Sequence, residues 1–130
     1  MRWFITTRLR SFGHALAGWV YVLRTQRNTW IHALFTMAAL LAGAWLGLDR
    51  LEWGLIIVAI ILVWMAEFLN TALEAIVDLA SPQQHPLAKV GKDVGAAAVL
   101  ITALAAVLIG LLVLGPPLWE RLRSILALAT

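Results

Sequence analysis

The chain has 130 residues, of which 62% are hydrophobic and only 13% charged, and its mean hydropathy is +0.89. Soluble domains run nearer half apolar and a quarter charged, and a chain this short cannot bury so much apolar surface in a core, so lipid is the expected solvent. With no cysteine, disulfides, thiolate nucleophiles and cysteine-ligated metals are excluded. A net charge of +3, scattered along the chain, does not make a nucleic-acid footprint.

The opening Met1-Arg-Trp-Phe4 lacks the apolar stretch and cleavage site of a signal peptide. Over residues 1–28, Phe4, Ile5, Leu9, Phe12, Leu16, Trp19, Val20 and Leu23 recur at helical spacing, with Arg8, Arg10, Arg24 and Arg27 as a basic side. This pattern predicts an amphipathic helix lying on a membrane surface. Three apolar blocks follow, at 30–48, 53–79 and 89–119, each long enough to cross a bilayer, with a polar loop at 80–88 and a tail at 120–130. Strands are not expected, because the blocks do not alternate and an open sheet edge is not viable in lipid. The fold class read from the chain is therefore all-α integral membrane, with three transmembrane helices and an N-terminal surface helix in a single domain.

Trp30, Trp53 and Trp119 stand at block ends, as interfacial anchors do, while Trp19, Trp45 and Trp64 read as bulky packing residues. Placing the N-terminus in the cytoplasm puts seven of the ten basic residues inside, five before the first span plus Lys89 and Lys92. Small residues four apart, in Gly43…Gly47 and Gly91…Gly95, are expected to let helix backbones approach closely. His14, His32 and His85 lie far apart without ligand spacing and are read as surface or packing residues rather than metal ligands.

Four of the seven acidic residues fall between Glu67 and Asp93, at or near membrane depth, where ionisable groups are costly and usually functional. On a helix, Glu67, Asn70, Thr71, Glu74 and Asp78 share one face, within about 100° of arc. A face solvated beyond the membrane is the alternative, and it fits Asp78 beside the loop best. For Glu67 and Glu74 it fits poorly, since a solvated face would interleave basic residues. Three like charges within three turns call for a cation, and carboxylate oxygens suit Mg²⁺. Across the loop, Lys89, Lys92 and Asp93 cluster at the foot of the third span. Together these features describe a site able to hold a phosphate bridged by magnesium. A P-loop is absent: Pro86 stands where its first glycine belongs, and no Ser or Thr follows Lys92.

At these residues the chain resembles the small prokaryotic diacylglycerol kinase/undecaprenol kinase family. The resemblance rests on Glu67-Phe-Leu-Asn70-Thr-Ala-Leu-Glu74-Ala-Ile-Val-Asp78 and on His85-Pro-Leu-Ala-Lys89-Val-Gly-Lys92-Asp93. Upstream, Arg24-Thr-Gln-Arg27-Asn28 and Ile31-His32 are similar to its Gram-positive undecaprenol kinase branch. The resemblance implies a homotrimer in the cell membrane, with N-terminus and site cytoplasmic, and transfer of the ATP γ-phosphoryl group to a lipid alcohol with Mg²⁺. The implied alcohol is undecaprenol, with diacylglycerol as the alternative. By the same resemblance Glu67 is the catalytic base and meets the lipid together with Asn70, and Glu74 is a metal ligand. Asn70, Glu74, Asp78, Lys92 and Asp93 form the nucleotide network. Gln26 departs from the family, where many relatives carry a second metal-binding glutamate at that position. Readings of another class are a non-catalytic helical scaffold, which phosphate transfer from labelled ATP would exclude, and a channel, which would need polar residues along the whole depth of a span.

Overall fold

A computed structural model describes residues 2–81, 83 and 85–128. Among them there are four helices and no strand: α1 (Arg2–Thr25), α2 (Arg27–Leu46), α3 (Arg50–Ala80) and α4 (Pro86–Ala127). α2, α3 and α4 are each long and apolar enough to cross a membrane. This chain is an all-helical membrane protein. At 1.5 Å per residue α3 is about 46 Å long, well beyond a hydrocarbon core of about 30 Å. It is thus longer than a spanning helix needs to be, and the polar residues 67–78 lie toward its C-terminal end.

Each helix boundary has a local cause. Gln26 separates α1 from α2 in an extended conformation (φ −102°, ψ 114°) and makes no side-chain capping bond to α2, because its amide is used elsewhere. Gly47 stops α2 in the left-handed region (φ 75°), where a glycine pays no steric penalty, and its N–H returns to the Gly43 carbonyl. Asp49 and Glu52 then form a reciprocal capping box that starts α3. His85 caps α4 through Nδ1, which accepts from the Leu87 N–H at 3.2 Å, and Pro86 occupies the first helical position, where a missing N–H costs nothing. Pro82 and Gln84 of the expected loop lie outside the described residues.

α3 and α4 form the main helix pair, and α2 packs across both. Leu48, Ile56 and Val113 are buried at the end of the bundle opposite the polar residues, surrounded by Ala39, Leu46, Trp53, Ile60, Ile109 and Leu114. The two glycine pairs serve different ends. A Cβ at Gly43 would come within 3.0 Å of both Leu48 and Trp53, so glycine lets the end of α2 close on the start of α3, whereas Gly47 is a helix stop rather than a contact. Gly91 and Gly95 bring α4 against Val77 and Asn70 of α3.

Several features differ from the sequence reading: the helix expected over 1–28 breaks at Gln26, so that Arg27 and Asn28 belong to α2, and α4 begins at Pro86, inside the loop expected over 80–88. α4 continues through Pro116 and Pro117 as far as Ala127, so the segment expected to be a tail is helical up to that point. Ala129 and Thr130 lie outside the described residues. Of the anticipated packing tryptophans, Trp45 instead faces the Arg121 guanidinium, 5.8 Å from its ring. Trp19 and Trp64 do pack, with ring centroids 4.9 Å apart, and Phe68 joins them 4.6 Å from Trp19. That aromatic contact ties α1 to α3, and it leaves Phe12 and Leu16 of the apolar face of α1 uncovered by the chain itself. The side chains of Phe4, Ile5 and Leu9 on that face lie outside those described.

Candidate active site

The polar face of α3 divides into three settings, each made by a different neighbour. Glu67 is the deepest. Only 2% exposed, it is one of the two largest fully buried side chains, and Thr29 of α2 is the other. Thr29 Oγ1 donates to Glu67 Oε1 at 3.4 Å, and His32 Nε2 stands 3.7 Å from Oε2. Thr29 and His32 are three residues apart and so share one face of α2. The hydroxyl of Thr71 is satisfied by the Glu67 main-chain carbonyl at 2.9 Å, which keeps it from competing for the carboxylate.

Seven residues further along α3, about 10 Å nearer the polar end, Glu74 is gripped from two sides. Asn70 Nδ2 donates to Oε1 at 3.0 Å, and Gln26 Nε2, from the break between α1 and α2, donates to Oε2 at 2.8 Å. Asn70 is buried, yet its Oδ1 has no hydrogen-bond partner. A buried acceptor left unmade costs about 1–3 kcal/mol, so a turn of the Asn70 amide that gave this oxygen a cation beside Glu74 would relieve that cost. The oxygen lies so close to Gly95 that a Cβ there would overlap it. The donor set of Glu74, Asn70 Oδ1 and an amide at Gln26 is all oxygen once both amides are turned, which fits a hard cation such as Mg²⁺ that keeps most of its shell for phosphate and water. Among the described residues no three His, Cys, Asp or Glu side chains converge on one point, so any ion here would depend on ligands the chain does not supply.

The third setting is the turn between α3 and α4. Asp78 Oδ1 pairs with Lys92 Nζ at 2.5 Å, joining the two helices, while Lys89 Nζ meets Asp93 Oδ2 at 2.6 Å within α4. These residues, with Val77, Ser81, Gln83 and His85, line an open cavity of about 720 Å³. Lys92 has two further N–H donors beyond the one given to Asp78, so the ion pair holds it in place without consuming it.

An apolar groove of about 510 Å³ runs between α2, α3 and α4, walled by small residues such as Ala39, Ala42, Ala59, Ala103 and Gly110. Its polar wall is formed by His32 and Thr36. Trp64 Nε1 donates to Thr36 Oγ1 at 3.0 Å, so that hydroxyl already serves as an acceptor.

The structure thus sets Gln26, Asn70 and Glu74 in one cluster, Asp78 and Lys92 in another, and Glu67 by itself among α2 residues; Asp93 faces Lys89. Thr29 and His32 were not singled out by spacing as partners of the acidic face. The available signal was that His32 is the only ionisable residue in the first apolar block, one turn after a threonine on the same side.

A sequence profile of the family described as prokaryotic diacylglycerol kinase matches residues 13–114. A diacylglycerol kinase of Synechocystis sp. is 44% identical over 111 residues, covering 85% of this chain and 63% of that protein. The undecaprenol kinase of Bacillus subtilis is 41% identical over 109 residues, covering 84% of this chain and 89% of that protein. The diacylglycerol kinase of Escherichia coli K12 is 34% identical over 95 residues, covering 68% and 78%. The matched region therefore spans less than two thirds of the Synechocystis protein and most of the other two.

Proposed function

The chain belongs to the prokaryotic diacylglycerol kinase family and is a membrane lipid kinase, and from that premise we propose that it transfers the γ-phosphoryl group of ATP to the hydroxyl of undecaprenol. The observation that carries the chemistry is the pairing of a fully buried carboxylate, Glu67, with a separate oxygen-rich cluster at Glu74 about two turns away on the same helix face. Phosphoryl transfer asks a protein for positioning and charge neutralisation, with a base to take the acceptor proton. Glu67 is that base: the alcohol oxygen forms its bond to the γ-phosphorus, the bond to the ADP oxygen breaks, and the proton passes to Glu67 Oε2. Thr29 holds the other oxygen of the carboxylate, leaving Oε2 as the accepting atom.

Glu74, with Asn70 and Gln26, would hold Mg²⁺, whose role when bound is to neutralise charge on the phosphate oxygens. Asp78 sets the Lys92 ammonium where it can add a donor to the same phosphates, and Asp93 does so for Lys89. Gln26 brings no charge to this cluster, so Glu74 is the single anionic ligand. Undecaprenol is favoured over diacylglycerol by Arg24-Thr-Gln-Arg27-Asn28 and Ile31-His32, and by the near full-length match to the B. subtilis undecaprenol kinase. A cell-membrane homotrimer with site and N-terminus in the cytoplasm completes the proposal. It is supported by the charge bias, since this orientation puts seven of the ten basic residues inside, and by the apolar helix faces a single chain leaves uncovered. The test is phosphate transfer from labelled ATP to undecaprenol, diacylglycerol and ceramide presented separately in mixed micelles. Turnover with undecaprenol at the highest kcat/KM supports the assignment; a higher value with diacylglycerol replaces it.

A further inference from the structure

One buried group beside the carboxylate has no role in the chemistry above. His32 is 14% exposed at its side chain, and its Nε2 is fully shielded yet has no hydrogen-bond partner. The 3.7 Å to Glu67 Oε2 is too long for a direct bond. It does suit a third atom: an oxygen about 2.8 Å from each can bridge them at the apex of a triangle. His32 also belongs to the wall of the apolar groove, whereas Glu67 lies behind it and does not. Of the two polar residues on that wall, Thr36 already accepts from Trp64, whereas His32 Nε2 has no partner at all.

We propose that His32 positions the acceptor hydroxyl of the lipid alcohol. The apolar tail lies in the groove, and a small turn of the His32 ring from its shielded position admits the hydroxyl between His32 and Glu67. There it accepts from Nε2–H, in the tautomer that carries its proton on that nitrogen, and donates to Glu67 Oε2. The partnerless Nε2 and the carboxylate oxygen that Thr29 does not hold are engaged by one group, and the oxygen is left with a lone pair for the γ-phosphorus. The proton it loses goes to Glu67, and His32 keeps its own throughout. Thr29 and His32 divide the carboxylate between them, one fixing Oε1 and the other defining what Oε2 meets. This inference rests on the reading of Glu67 as the base and adds to it the residue that aligns the nucleophile.

The test uses the full chain in mixed micelles, with undecaprenol and diacylglycerol as acceptors and four variants. His32→Leu keeps bulk and removes the donor. His32→Gln places an amide nitrogen near the level of Nε2, and His32→Asn draws it back to the level of Nδ1. Misplacing a nucleophile by about 1 Å costs roughly 100-fold in rate. His32→Leu and His32→Asn are therefore expected to lose about that factor in kcat/KM for the alcohol, with the KM for ATP unchanged. His32→Gln is expected to recover most of it. Equal rates in the Gln and Asn variants, or native kcat/KM in His32→Leu, would overturn the proposal, and the Gln–Asn comparison carries it alone if His32→Leu does not fold. Glu67→Gln, assayed beside them, separates the two readings. Near-native turnover there removes the base and the positioning role together, whereas loss there with an unaffected His32→Leu removes only the latter.

Discussion

Gly95→Ala puts the geometry around Asn70 to a test in which two effects have opposite signs. Gly95 lies inside α4, where replacing glycine by alanine ordinarily stabilises a helix by about 0.8–1 kcal/mol. Here the new methyl would overlap Asn70 Oδ1, with Leu73 Cδ1 a further 3.9 Å contact. Asn70 is buried, so its amide can clear the methyl only by rotating away from Glu74. That breaks a 3.0 Å hydrogen bond to a charged acceptor, an interaction worth about 1.5–3 kcal/mol. The second effect exceeds the first, and a net destabilisation of about 1 kcal/mol is expected, together with a fall in kcat of at least tenfold because Glu74 loses one of its two clamps. Gly91→Ala is the control: its methyl would meet Val77 Cγ2 at an ordinary 3.7 Å, so the helix gain stands alone and activity is kept. Thermal unfolding in detergent and steady-state kinetics on both variants decide the matter. A Gly95→Ala protein as stable and active as Gly91→Ala would refute the close approach of α4 to Asn70 and the role given to that side chain.

Glu67→Gln, which preserves shape and removes the proton acceptor, is expected to lower turnover by 10²–10⁴-fold while calorimetry shows ATP still binding. Gln26→Glu would set a second carboxylate 2.8 Å from Glu74, where Gln26 Nε2 now donates. Its melting temperature should therefore fall in EDTA and recover with Mg²⁺, and its magnesium activation curve should move to lower concentration; a melting temperature indifferent to Mg²⁺ would place Gln26 outside the metal cluster. Lys92→Ala removes a phosphate donor and leaves Asp78 unpaired, so the KM for ATP should rise several-fold more than the KM for the lipid, as a two-substrate kinetic matrix will show.

What could be read from the chain itself was whatever depends on a one-dimensional pattern. Burial in lipid follows the local run of apolar residues, which is why three spanning helices were legible as blocks without knowledge of their neighbours. The shared face of Glu67, Asn70, Glu74 and Asp78 followed from helical periodicity alone, since all four stand on one uninterrupted helix. Which residues each of them meets is a different kind of question. Gln26 reaches Glu74 across 48 positions of sequence, and Thr29 reaches Glu67 across 38. Those meetings depend on how far α2 is slid along α3, and Gly43, against Leu48 and Trp53, helps set that close approach at the opposite end of the helix. A shift of one helical turn, about 5.4 Å, would leave every span as apolar and the acidic face as regular as before. It would nonetheless carry His32 past Glu67 and undo the 3.7 Å approach of its Nε2 to the carboxylate.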